Sequence, residues 1–142
     1  SWTELLFLDE ATALAAGHRP CFFCRRDDAN AFRAAWAVGN SVSTPRAKEM
    51  DDVLHGERLD GSGKRLHVLH EPAKALPDGA MVHAGGEPYL IAKGKALRWS
   101  FDGYSTVDMP TGDVQLITPP STLRALAAGY QPTLHPSAIG LS

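Results

Sequence analysis

This sequence of 142 residues has only two cysteines, and neither positive nor negative charge is in large excess. Two cysteines are too few for the disulfide framework of a small secreted domain, and a chain of this length can bury a hydrophobic core without cross-links. The 14 basic and 16 acidic residues give a formal net charge of −2 with neutral histidines. This balance excludes an overall basic surface for nucleic acid and allows only a local one.

Long hydrophobic runs are also missing. No apolar stretch approaches the ~20 residues that a membrane-spanning helix needs. The N-terminal residues lack the basic region and small-residue cleavage site of a signal peptide. We therefore expect a cytoplasmic protein without a membrane partner. The chain begins with Ser1 and an apolar run, from which we expect its first folded element to extend upstream of the printed sequence.

Several motifs of enzyme chemistry are absent as well. The sequence has no Gly-x-Gly-x-x-Gly fingerprint, no P-loop and no Gly-x-Ser-x-Gly nucleophile elbow. Nucleotide binding and serine hydrolase chemistry therefore have no motif support.

Residues 1–55 are predicted to form a helical module. Asp9 is a favourable N-cap and Gly17 a favourable stop for the first helix, and Thr44 with Pro45 is typical of a later helix start. The predicted elements are a strand over residues 4–8 and helices over residues 10–16, over residues 27–38 and from Pro45 onward. Residues 56–64 are rich in glycine and charge, which predicts an exposed loop and a module boundary.

Residues 65–142 are predicted to form a β-rich module with a C-terminal helix. Four short runs rich in β-branched and aromatic residues are separated by glycine-containing turns. These runs are residues 80–84, 87–93, 96–101 and 113–118, and a final helix over residues 122–128 follows a Ser121 cap. The expected fold class is α+β, with an N-terminal helical metal-knuckle module followed by a small antiparallel sheet or barrel.

The two cysteines form a Cys21-x-x-Cys24 pair, whose spacing suits several chemistries. A thioredoxin-like redox pair follows a strand in a βαβ unit, whereas here a helix is predicted to come first. Half of a tetrahedral zinc site fits the spacing, because both thiolates can reach one ion from a turn. Two small buried residues without a metal remain the simpler alternative.

The stretch Gly-His-Arg-Pro-Cys-Phe-Phe-Cys-Arg, residues 17–25, carries a resemblance. Together with the Ala-rich helix before it, the stretch resembles the second half of the zinc-binding domain of the Ada family, bacterial regulators of the response to DNA alkylation. The resemblance spans residues 4–33. It implies a small bacterial protein with a structural zinc ion, Cys21 and Cys24 as ligands, and DNA as a partner.

The resemblance also implies contacts to DNA phosphates near the metal. The arginines in this position are Arg19, Arg25, Arg26 and Arg33. A solvated basic face, partly neutralised by Asp27 and Asp28, is the alternative interpretation of these side chains.

The family's other two zinc cysteines lie upstream of the matching strand, and one of them is its methyl acceptor. Methyl transfer is therefore not implied for this chain. We expect the missing ligands upstream of Ser1, with three alternatives: His18 as a substitute ligand, a histidine from the second half, or a site without metal.

Two further functions compete with the metal knuckle. His67 and His70, with His55, Glu57 and Glu71 nearby, could serve an enzyme as metal ligands or as acid and base. A protein-interaction module with an exposed edge strand is the other alternative. The aromatic residues of the second half, which either stack on nucleic-acid bases or fill the core, are Tyr89, Trp99, Phe101 and Tyr104.

Overall fold

Three helices lead into a series of strands, and two further helices follow. These elements belong to a computed structural model that describes residues 8–21, 23, 25–60 and 63–139. The helices are Glu10–Ala15 (α1), Arg26–Asn40 (α2), Ala47–Arg58 (α3), Pro120–Ala127 (α4) and Pro136–Ile139 (α5). The strands are Leu59–Asp60 (β1), Gly63–Lys64 (β2), Met81–Ala84 (β3), Glu87–Ala92 (β4), Lys95–Ser100 (β5), Gly103–Val107 (β6) and Gln115–Leu116 (β7). The predicted α+β class is confirmed.

The main sheet has five antiparallel strands in the order β6-β5-β4-β3-β7. Its first two hairpins have two-residue turns, Gly85-Gly86 and Lys93-Gly94, in which both residues have positive φ angles. Turns of this kind match the right-handed twist of the flanking strands. Beyond β7, His67 pairs with Leu116 as an isolated antiparallel bridge, which extends that edge of the sheet.

Both faces of the sheet are buried, because alternate residues of each strand enter different hydrophobic clusters. In β4, for example, Ile91 belongs to one cluster and Leu90 to the other. The first cluster adds side chains from α2, α3 and α4, and the second adds Ala11 and Ala15 of α1 and Ala138 of α5.

The helices of the first half and the strands of the second half share one core. Phe32 of α2 is fully buried and meets the ring of Tyr130 edge-on, with ring centroids 5.2 Å apart. The same cluster contains Met50 of α3 and Val82 of β3. The described parts of residues 1–55 and 65–142, predicted as two modules, therefore share a hydrophobic core.

Several boundaries differ from the sequence predictions for local reasons. α3 begins at Ala47 rather than Pro45, because the Glu49 carboxylate accepts a hydrogen bond from the Arg46 N–H and caps the helix there. Helix α3 and the β1–β2 pair occupy most of the predicted 56–64 loop. β6 was not predicted, because residues 103–107 include consecutive polar residues and so lack the alternation of apolar and polar residues that is typical of a strand.

The C-terminal region differs too. α4 starts at Pro120, and Ser121 lies inside its first turn, where its N–H and hydroxyl donate to the Glu57 carboxylate. The predicted strand over residues 4–8 lies outside the described residues, except for Leu8, which forms a bend. No helix among the described residues is long and apolar enough to span a bilayer.

The close approach of α2 to α4 at Gly39 yields a prediction. A Cβ on Gly39 would lie 2.2 Å from the Arg124 carbonyl oxygen, whereas nothing lies within 4 Å of the corresponding position on Gly56 in α3. We expect Gly39→Ala to lower the free energy of unfolding by about 1–3 kcal/mol through overpacking. Urea denaturation measures the change.

Gly56→Ala is the matched control. It makes the same exchange in an open helical position, so we expect it to stabilise the protein by roughly 0.5–1 kcal/mol. Equal effects of the two substitutions would contradict the predicted helix–helix contact.

Candidate functional site

The predicted cysteine knuckle lies in the turn between α1 and α2. Cys21 is exposed, and its carbonyl oxygen accepts a hydrogen bond from the Arg25 N–H at 2.9 Å. Cys24 lies outside the described residues. Phe23, between the two cysteines, is 98% exposed, so an aromatic ring projects into solvent from this turn.

Arg19 holds the turn on its N-terminal side. Its Nε and a terminal nitrogen contact the two carboxylate oxygens of Asp51 in α3, at 2.7 and 3.0 Å. A bidentate pair of this kind fixes direction as well as distance. The residue two positions before Cys21 is thereby attached to a helix from another part of the chain.

Arg25 holds the turn on its C-terminal side. Its guanidinium bonds to the Asp28 carboxylate in the first turn of α2 and, at 3.0 Å, to the carboxylate of Glu10 in α1. The hydrogen bond to Glu10 is the main cause that raises the pKa of Arg25, so this side chain keeps its charge. Both flanks of the cysteine pair are therefore fixed in position by ion pairs between an arginine and carboxylates.

The Glu10 carboxylate is buried, with only 8% of the residue exposed. Besides Arg25 it accepts hydrogen bonds from the Tyr130 hydroxyl and, at 2.8 Å, from the Thr133 N–H. A buried carboxylate needs such partners, since an unpaired one is costly. Burial, followed by the bond to Glu10, raises the pKa of Tyr130 far above its ordinary value.

A cavity of about 540 Å³ opens beside the cysteine turn. His18 and Cys21 line it from the turn, and Asp51, His55 and Arg58 line it from α3. Gly17 allows this close packing, because a Cβ there would lie 2.5 Å from Cδ of Arg58. The structure thus brings the predicted ligands Cys21 and His18 into one cavity with a second histidine.

The donor chemistry of this cavity fits part of a zinc site, since thiolate and imidazole are common zinc ligands. Among the described residues, however, no three His, Cys, Asp or Glu side chains are grouped closely enough to hold a metal ion. Cys21 and His18 therefore do not complete a centre with the other described residues, and the position of Cys24 is not described.

The four arginines predicted to contact DNA differ in their environment. Arg19 and Arg25 form the ion pairs described above, and the Arg33 Nε donates to the Pro45 carbonyl oxygen at 2.8 Å. Arg26 is exposed and has no hydrogen-bonded or ionic partner within the described part of the chain. Of these four arginines, Arg26 alone presents a guanidinium that no described residue engages.

The histidines of the alternative enzyme site lie elsewhere. His67 and His70 line a second cavity with Glu71, and His55 lines the cysteine cavity instead. The ring of His67 is tied to the chain, since its Nε2 lies 2.7 Å from the Glu57 carbonyl oxygen. The structure therefore keeps His67, His70 and Glu71 at one cavity and places His55 at the other.

The aromatic residues of the sheet enter the core rather than form a stacking surface. Trp99 and Tyr104 belong to one buried cluster, and Tyr89 packs against the other. Phe101 lies in the β5–β6 turn and is 68% exposed, with its ring centroid 5.2 Å from that of Trp99.

Sequence reasoning missed the carboxylates that organise this region. Asp9 was predicted only as a helix cap, yet it also accepts hydrogen bonds from the Tyr104 hydroxyl and the His135 N–H. Glu10 was assigned no role. An acidic pair next to an apolar Ala-rich helix was the available signal, because a carboxylate on a buried helix face needs partners.

Comparisons with known proteins give no further identification. No known protein family, no curated protein and no solved structure matches this chain.

The buried tyrosines predict an alkaline limit to stability. Burial is the main cause that raises the pKa of Tyr104 and of Tyr130 above the ordinary value of 10.0. The unfolded chain therefore loses these protons first as the pH rises. The contribution is complete below the ordinary pKa and is lost above it, so we expect the free energy of unfolding to fall as the pH rises above about 10.

Tyr130→Phe tests the origin of this slope. We expect it to flatten the decline above pH ~10 and to lower stability near neutral pH by about 1.5–3 kcal/mol, because Glu10 loses a donor. Chemical denaturation at several pH values measures both effects. Tyr89→Phe is the control, since the Tyr89 hydroxyl has no bonded partner among the described residues, and an identical profile for the two variants would contradict this origin.

Proposed function

We propose that this chain is a small zinc-binding protein in which Cys21 and Cys24 supply two thiolate ligands of a structural metal site. The carrying observation is that the cysteine turn is held at both ends, by Arg19 on Asp51 and by Arg25 on Glu10 and Asp28. A structural zinc ion would stabilise the folded chain by linking the cysteine turn to the segments that supply the other ligands.

Arg26 is the neighbouring charge that supports the thiolate form. Its exposed guanidinium stands two residues after Cys24 without a carboxylate partner among the described residues, and a neighbouring positive charge stabilises a thiolate relative to a thiol. The exposure of Cys21 supports access for a metal ion. Thiolate ligands need a reducing compartment, which is why the proposal places the protein in the cytoplasm.

The other ligands are part of the proposal. His18 and His55 line the same cavity as Cys21 and are the histidines that the proposal takes as candidate ligands. Residues outside the described ranges are the second source, and this includes the upstream cysteines expected from the resemblance.

Zinc content is the direct test. We expect about one zinc ion per chain in the full-length native protein after removal of loosely bound metal, and loss of that ion in Cys21→Ser and Cys24→Ser. Elemental analysis gives the stoichiometry, and the thiolate absorption of the cobalt-substituted protein shows whether sulfur binds the metal. A native protein without zinc and without this cobalt absorption would overturn the proposal.

Histidine variants identify the source of the remaining ligands. His18→Ala and His55→Ala weaken zinc binding if the cavity completes the site, whereas His70→Ala, in the other cavity, is the matched control. Full binding in both cavity variants would assign the remaining ligands to residues outside the described ranges.

DNA as a partner is the less supported half of the proposal. The observation that supports DNA binding is the environment of Arg26. Its exposed guanidinium stands two residues after Cys24 and has no partner among the described residues. Arg19, Arg25 and Arg33 bond within the chain, and Asp27 lies beside Arg26. We therefore expect weak binding through contacts to DNA phosphates, without recognition of the bases.

The salt dependence of DNA binding tests this half. In Arg26→Gln we expect the slope of log affinity against log salt to decrease by about 0.9, the value for one lost phosphate contact on duplex DNA. Fluorescence anisotropy with a labelled duplex measures it, and Arg46→Gln is an exposed arginine control on another segment. An unchanged slope, or no binding at low salt, would remove DNA from the proposal.

A further inference from the structure

We propose that the protein has a second ligand site, for a small organic anion with an apolar body, such as a medium-chain carboxylate. The site is the cavity of about 490 Å³ between the extended segment 65–71, β7 and the start of α4. It shares no lining residue with the cysteine cavity, so it does not depend on the zinc proposal.

Leucine side chains form the apolar part of the cavity wall. Five leucines from four parts of the chain line it, and Leu76 and Leu116 among them are buried. The five are Leu66, Leu69, Leu76, Leu116 and Leu123. The volume lies within the usual range for small-molecule sites, and such sites bury most of an apolar ligand. The body of the ligand is therefore expected to be hydrocarbon.

The rim of the cavity is positively charged. Arg65 donates to the Gly56 carbonyl oxygen at 3.2 Å, and Arg124 donates to the Asn40 side-chain oxygen at 3.0 Å. Both acceptors are neutral, and neither arginine forms an ion pair with another described residue. Among the described residues, Glu71 is the single acidic residue that lines the cavity. Two uncompensated guanidiniums against one carboxylate favour an anionic head group.

The Glu57 carboxylate lies near this cavity but is not among the residues that line it. It accepts hydrogen bonds from the Ser121 N–H at 2.9 Å and from the Ser121 hydroxyl, at the N-terminus of α4. A helix N-terminus favours negative charge, so Glu57 is stabilised at that position. Among the described residues, the charges that line the cavity are therefore the guanidiniums of Arg65 and Arg124 and the carboxylate of Glu71.

One wall of the cavity has a fixed polar group. The His67 backbone bonds to Leu116 in both directions, at 2.9 and 2.8 Å. Its ring Nε2 faces the Glu57 carbonyl oxygen, which can only accept, so Nε2 carries the hydrogen and the neutral ring has its lone pair on Nδ1. The fixed His67 ring therefore gives the cavity one oriented polar group among its leucines, and such a group can distinguish ligands by their hydrogen-bonding atoms.

Octanoate and octanamide are the probes. They share one hydrocarbon body and differ in charge, so their comparison separates anion recognition from simple apolar binding. In two-dimensional amide NMR of the full chain, we expect octanoate to shift residues 65–71, Leu116 and residues 120–124 in a saturable way. Octanamide is expected to bind at least about tenfold more weakly, which corresponds to ~1.4 kcal/mol.

Two variants test the rim. Arg65→Gln removes one guanidinium, and Val68→Asp places a carboxylate at a side chain that is 70% exposed, without disturbing the core. Each is expected to weaken octanoate binding by about tenfold, or ~1.4 kcal/mol. Arg98→Gln, on β5 and outside the cavity, is expected to leave binding unchanged. Thermal unfolding of each variant verifies that it folds.

The possible outcomes decide the proposal. Saturable shifts confined to this cavity, with weaker binding in both rim variants, would support it. Shifts spread over other surfaces, no saturation, equal binding of octanamide, or insensitivity to both rim variants would overturn it.

Discussion

The buried Glu10 carboxylate is the interaction on which this region of the structure depends. It joins three parts of the chain, because α1 carries it while Arg25 of the cysteine turn and Tyr130 with Thr133 of the C-terminal segment donate to it. Removing one partner of a buried charge commonly costs about 3–5 kcal/mol, since the charge that remains is uncompensated. The position of the cysteine turn therefore depends on a contact with the other end of the described chain.

Asp9 completes the same arrangement on the side of the sheet. It caps α1 through Thr12, and its carboxylate also receives the Tyr104 hydroxyl of β6 and the His135 N–H. Two adjacent acidic residues thus connect α1 to the sheet edge and to the segment before α5. α5 in turn lies along β6, where the Tyr104 N–H donates to the Ser137 hydroxyl at 2.8 Å. This contact covers part of β6, which is an edge strand of the main sheet.

Local patterns in the sequence predicted much of the fold. The Asp9 cap and the glycine-containing turns between the strands act within a few residues, and each has the expected place. β6 and the start of α3 were not predictable in this way. Their bounds depend on cross-strand pairing with β5 and on the Glu49 side chain, which compete with the intrinsic preferences of the residues.

The candidate site was predictable in its chemistry but not in its surroundings. The Cys21-x-x-Cys24 spacing indicates metal ligation, yet no spacing reveals that Asp51 in α3 holds Arg19 or that Arg25 reaches back to Glu10. Such contacts join residues 15 to 32 positions apart and are set by packing of helices. The cavity around Arg65 and Arg124 is also set by tertiary packing. Segment 65–71 and α4 are far apart in the sequence and come together only in the folded protein.

The separation along the chain between Glu10 and its partners also sets an order of events during synthesis. The bonds from Tyr130 and Thr133 span 120 and 123 residues. α1 leaves the ribosome long before those donors exist, and closing so long a loop carries an entropic cost. During that interval the Glu10 carboxylate can pair only with Arg25 and with water. Its full set of hydrogen bonds is therefore completed only after the C-terminal segment has been synthesised.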